Sequence, residues 1–155
     1  MLRWLALVLM LGLALITLAC SSDGGPRAVG TSSQELTQTA EAGGITVEAR
    51  WLTEGELTEL DADVSRYPLD VFVLFELALD THSGDLNDID LQDAAMLTQG
   101  PAVSPPEAWV SESDDSHHRS GVLVFPLDQQ EGEVGLTVDL GDEEVALLWE
   151  GPPTK

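Results

Sequence analysis

The chain holds three histidines, and each lies close to carboxylates. His82 sits in Asp80-Thr81-His82-Ser83-Gly84-Asp85, and the other two in Asp114-Asp115-Ser116-His117-His118-Arg119. Imidazole nitrogen and carboxylate oxygen are ligand types that zinc, copper and nickel accept. Asp80 and His82 are two apart, so an extended backbone projects both to one side. His117 and His118 are adjacent and point to opposite faces, so one of the two is expected to join them. The cofactor for such a set is a divalent transition metal, zinc or copper. Copper(I) prefers thioethers, and Met96 is the single methionine after Cys20. A plainer reading stands beside this one: His82 bonds a loop backbone, and His117-His118 occupy a solvated acidic turn. No finger-type spacing decides between them.

A second cation reading uses Asp85, Asp88 and Asp90, with Asp93 close behind. Hard oxygen ligands at short spacing suit calcium, but the ordered EF-hand register and its closing glutamate are missing. A solvated acidic turn is the commoner meaning of such a run. Catalytic motifs are scarce. The chain has no Gly-x-Ser-x-Gly elbow, phosphate loop or His-Glu-x-x-His helix. Carboxylates are abundant, but abundance without placement does not make a general acid or base. The expectation is a protein that is not an enzyme.

Cys20 is the only cysteine. It closes a segment with Arg3 near its start, an apolar run from Leu5 to Leu18, and small Ala19 just before it. A basic start, a short apolar stretch and a small residue at the cleavage point make a secretory signal. The run is shorter than the about 20 residues of a membrane span. Thr17-Leu18-Ala19-Cys20 resembles the bacterial lipobox, with Thr17 where leucine is usual. A lone thiol in an oxidising compartment lacks a disulfide partner, and lipid attachment would consume it. The resemblance implies cleavage before Cys20, acyl chains such as palmitate on it, and an extracytoplasmic address in the cell envelope. Ser21 after the cysteine resembles outer-membrane routing in a Gram-negative host.

Of 155 residues, 28 are acidic and 6 basic, for a net charge of −22, and every acidic residue follows Cys20. Such a field excludes nucleic acid as a partner and favours basic proteins or metal ions.

The elements that must position these groups are strands. Residues 1–19 read as the signal helix. Residues 20–44 read as the lipidated N-terminus and a flexible tether of Ser, Thr, Gly, Gln and Ala, with a coil reach of about 25–30 Å. From Ile45 the pattern turns to period two: Ile45, Val47, Ala49 and Trp51 alternate with Thr46, Glu48 and Arg50. Residues 54–68 read as an acidic loop with a short strand near Leu57–Leu60. Val71–Leu79 is apolar on both faces and reads as a central strand. Further strands are expected at Ala94–Thr98, at Ala108–Ser111 with Trp109 as a core anchor, at Gly121–Leu127, and at Val134–Leu140 paired as a hairpin with Val145–Trp149. The expected fold is all-β: an antiparallel, immunoglobulin-like sandwich of about seven strands over residues 45–151, followed by a tail at 152–155. If the strands ending near Asp80 and starting near His118 are antiparallel neighbours, the histidine segments meet at one end of the sandwich.

The pieces Asp80-Thr81-His82-Ser83, Trp109 and His117-His118-Arg119-Ser120-Gly121, running into Val122-Leu123-Val124-Phe125-Pro126, resemble a pattern in small secreted bacterial proteins of unknown function. The resemblance covers about half the chain in separated pieces and names no activity. Two functions follow as expectations. The first is a membrane-anchored lipoprotein with a non-catalytic binding domain. The alternative is an envelope metal-binding accessory protein using His82 and the His117-His118 pair.

Overall fold

A computed structural model describes residues 36–128 and 132–151. The signal segment, Cys20, the tether up to residue 35 and the tail at 152–155 lie outside the described residues. Nine strands make two antiparallel sheets: β1 (Thr37–Ala42), β2 (Ile45–Trp51), β3 (Phe72–Thr81), β4 (Ala95–Gln99), β5 (Ala102–Ser104), β6 (Ala108–Asp114), β7 (His118–Pro126), β8 (Val134–Asp139) and β9 (Glu144–Trp149). One sheet runs β1-β2-β3-β7-β6 and the other β5-β4-β8-β9. The protein is an all-β sandwich. Among the described residues, no helix is long and apolar enough to cross a membrane.

Alternation builds the core. Val73, Phe75, Leu77 and Leu79 of β3 face inward with Val47, Ala49 and Trp51 of β2. Leu97, Leu136, Leu147 and Trp149 meet them from the other sheet. Phe75 is the hub: its ring centroid lies 4.8 Å from that of Trp149, 5.3 Å from Trp51 and 6.2 Å from Phe125. Truncating a buried aromatic side chain of this kind costs about 3–5 kcal/mol. Val71, expected to open this strand, is exposed and lies just before β3.

The sandwich holds two strands more than expected, and the first lies inside the stretch read as tether. β1 forms a hairpin with β2 through Gly43 and Gly44, whose φ values of 58° and 76° suit a two-residue turn of the primed type. The Leu36 carbonyl accepts hydrogen bonds from the Trp51 amide (2.9 Å) and from Trp149 Nε1 (3.1 Å), one in each sheet. The folded domain therefore includes residues 36–44, which are not part of a flexible tether. The second addition is β5, three residues long.

Residues 52–71 do not form the short strand expected near Leu57–Leu60; Leu57–Glu59 is a 3-10 turn. The segment instead lies over the outer face of the five-stranded sheet, burying Leu52 and Val64 on Leu74, Val122 and Val124. This explains why β3 and β7 are apolar on both faces. Glu76, also outward, is satisfied by Arg50: Nε donates at 2.7 Å and Nη2 lies 2.5 Å from the same oxygen.

Candidate functional site

The expected meeting of the histidine segments occurs. β3 and β7 are antiparallel neighbours, and Asp80 pairs across the ladder with His118. Leu79 and Thr81 on either side of Asp80 are buried, so Asp80 points outward, and His118 points out beside it. Cross-strand neighbours on one sheet face are close enough to interact. His118 Nδ1 and Asp80 Oδ1 form a short hydrogen-bonded ion pair, with the two side chains 71% and 56% exposed.

The turn before β7 prepares His118. Asp115 Oδ1 accepts the amides of His117 (2.8 Å) and His118 (3.1 Å), a side-chain-to-backbone turn of the kind Asp favours. Those two backbone bonds lower the Asp115 pKa below its usual 3.8, more than desolvation raises it. The His118 pKa is raised above 6.5, first by the hydrogen bond to Asp80; desolvation opposes this, and the charges of Asp80 and Asp115 add lesser upward pulls. The pair gives an accessible imidazole with increased basicity. It can take and hold a proton, and donate a hydrogen bond to an anionic or carbonyl group.

Three loops are tied together around this pair. The Thr81 amide donates to the His117 carbonyl (3.0 Å) and the Leu86 amide to the Ser116 carbonyl (2.9 Å). Thr81 Oγ1 lies 2.7 Å from the Ser83 carbonyl and 3.2 Å from that of Gly44. Asn87 Nδ2 donates to the Asp114 carbonyl at 3.2 Å. Arg119, on the other face of β7 from His118, pins the next segment: Nη1 donates to the carbonyls of Leu86 (3.0 Å) and Ile89 (2.6 Å). Its Nε faces Asp114 at 3.5 Å, an ion pair longer than a hydrogen bond, and its guanidinium carbon lies 5.6 Å from the Trp109 ring. Trp109, the expected anchor, is half-buried against the core and lies across Gly121. A Cβ there would come within 2.5 Å of the Val110 carbonyl and 2.8 Å of the indole.

The four-residue ligand set of Asp80, His82, His117 and His118 is not assembled. Only Asp80 and His118 meet. β3 ends at Thr81, whose buried hydroxyl closes a bend, so His82 stands past the strand and the two-apart argument no longer applies to it. His117 precedes β7, with its carbonyl taken by Thr81. The calcium set is also not assembled. Asp85 Oδ1 accepts the Asn87 amide at 2.9 Å, capping the 3-10 turn Leu86–Asp88. Asp90 Oδ1 accepts the Gln92 amide at 3.0 Å, capping α1 (Leu91–Ala94). Asp88 lies within the first of these turns. Among the described residues, no group of three or more His, Cys, Asp or Glu is placed to hold a metal ion. Zinc sites take three or four such ligands from the protein.

One feature absent from the sequence reading concerns the other sheet. Exposed large apolar side chains among the described residues are Val71, Met96, Val103 and Leu148. Met96, Val103 and Leu148 all stand on the outer face of the four-stranded sheet. The signal was present in Val145-Ala146-Leu147-Leu148-Trp149, a run apolar at both parities. Its inward residues, Val145, Leu147 and Trp149, are buried, and Ala146 and Leu148 are exposed.

Comparison of the chain with protein-family models, with curated proteins and with solved structures finds no match.

Proposed function

We propose that this protein is a membrane-anchored extracytoplasmic lipoprotein whose β-sandwich is a non-catalytic binding module. The observation that carries the binding role is the outer face of the four-stranded sheet. In a chain of net charge −22, three of the four exposed large apolar side chains among the described residues stand there. Apolar residues scattered singly on a surface need no explanation, but here three share the uncharged centre of one sheet face. The anchor rests on Thr17-Leu18-Ala19-Cys20, the basic Arg3 and the absence of any second cysteine from the sequence. Together these support a folded domain held to a membrane by its N-terminal lipid, with a protein as its partner.

The lipid anchor is tested by palmitate labelling of the full chain beside Cys20→Ala, followed by separation of membrane from soluble fractions. Label and membrane association that are both lost in Cys20→Ala support the reading. Equal labelling of the two proteins overturns it.

A further inference from the structure

The outer face of the four-stranded sheet has an internal order. Its central row crosses all four strands: Val103 pairs with Thr98, Thr98 with Gly135, and Gly135 with Leu148. The next row is Met96, Thr137 and Ala146. Neither row contains a charge. Gly135 leaves the middle flat, and the Leu148 side chain lies over it, 3.2 Å from where a Cβ would stand. Beyond the two rows the charge changes sharply. At one end the next outward pair is Asp139 and Glu144. At the other end Glu133 and Glu150 follow the Val134–Trp149 pair, and all four carboxylate residues are exposed. An uncharged, partly apolar centre is therefore closed at both ends by acidic pairs. Apolar centre with polar rim is the anatomy of a protein interface.

We propose that this face docks a basic protein surface, an apolar patch flanked by lysine or arginine. The inference rests on the binding-module reading and names its partner class. Charge complementarity selects the occupant. A second copy would set the same carboxylates against one another within a field of −22 per chain, and like charges placed together oppose association. Three inter-strand spacings of about 4.8 Å and six residues of strand at about 3.4 Å give a face of about 15 by 20 Å. That is well below the about 800 Å² per partner of a stable interface, so a partner seated here must also engage the acidic rim or bind transiently. A cationic partner gains from the acidic rim and from long-range steering by the whole domain.

The test is site-specific photo-crosslinking in the full-length chain in its native envelope. The crosslinking residue is placed at Thr98 or at Ala146, both on the face, and at Ser83 in the loop end beside His118. Two face positions guard against one that disturbs folding. The expected result is a protein adduct from Thr98 and Ala146, whose crosslinked peptide carries lysine or arginine beside apolar residues. Its yield should fall at least fivefold when salt rises from about 0.1 M to about 1 M, which shortens the screening length from about 10 Å to about 3 Å. It should fall similarly in the double variant Glu144→Lys, Glu150→Lys. An adduct to a second copy of this chain, or to lipid alone, overturns the proposal. Adducts from Ser83 only overturn this face while leaving a binding module. No protein adduct at any of the three positions overturns both this proposal and the binding reading.

Discussion

Gly121→Ala tests the packing that supports the His118 end. Gly121 is buried in β7 and has no side chain because Trp109 from β6 occupies that space. A Cβ would stand 2.5 Å from the Val110 carbonyl oxygen, and 2.8 Å and 2.9 Å from two carbons of the indole. The indole could rotate, but the carbonyl belongs to the neighbouring strand and moves only with the ladder. Overpacking of this kind costs about 1–3 kcal/mol. For a domain of this size that is a fall in Tm of about 4 °C per kcal/mol, so about 4–12 °C. The assay is thermal unfolding by circular dichroism, with Gly55→Ala as the control, since Gly55 has nothing within 4 Å of its Cβ position and no positive φ. Gly55→Ala should stay within about 0.5 kcal/mol of the parent. Adding Trp109→Ala to Gly121→Ala should relieve only the indole contacts, so the pair should be less destabilised than the sum of the single variants. An unchanged Tm for Gly121→Ala would refute the reasoning, because it would mean that the two strands are not this close.

Other outcomes follow from the loop end. In an NMR pH titration, His118 should titrate above 6.5, and Asp80→Asn should return it towards that value. Because the folded value is raised, the stabilisation from this pair is complete below pH 6.5 and is lost as pH rises through the folded pKa. For Asp115, whose folded value is lowered, the sign is opposite: its contribution holds above pH 3.8 and is lost as pH falls through the folded value. Asp85→Ala and Asp90→Ala should each cost about 1 kcal/mol as lost caps, while added calcium leaves Tm unchanged. Arg119→Met removes a charged donor from two carbonyls and should cost on the order of 3 kcal/mol, with faster amide exchange over residues 86–90. Because one nitrogen, Nη1, makes both bonds, Arg119→Lys should recover part of the loss, its ammonium carrying three donors on one atom.

The sandwich was legible wherever apolar residues alternate with polar ones or run long enough to be buried on both sides. That held for β2, β3, β7, β8 and β9, and the pairing of β3 with β7 placed Asp80 beside His118. β1 was missed because its inward residues are Ala40 and Ala42. Small side chains on an edge strand carry little hydrophobic contrast, so Thr37–Ala42 resembles a spacer in composition. The covering segment was missed for a different reason. Leu52, Leu57, Leu60, Val64, Tyr67 and Leu69 pack on a sheet with only one 3-10 turn among them, so their spacing has no period to detect.

The site was half legible. Strand parity put Asp80 outward beside His118, while the adjacency argument does not reach His117, which precedes β7. It failed at His82 because parity is a property of a continuing strand, and Thr81 ends the strand by turning its hydroxyl back on Ser83 and Gly44. The aspartates at 85 and 90 show a similar limit: a carboxylate two residues before a free amide caps a turn as readily as it binds a cation, and only geometry distinguishes the two. The apolar outer face could not be located from sequence because it depends on which strands lie side by side. Met96 and Val103 lie on the two arms of one hairpin, but Leu148 is far along the chain and joins them only through the order β5-β4-β8-β9.

The claim that this is a tethered module is tested most directly at its first residue. Intact-mass and N-terminal peptide spectrometry of the full-length protein, recovered with detergent from its native membrane, reads that residue. The account predicts a chain beginning at Cys20 and carrying a lipid-sized mass increment on that cysteine. A chain that retains Met1, or one with a free thiol at Cys20, would contradict it.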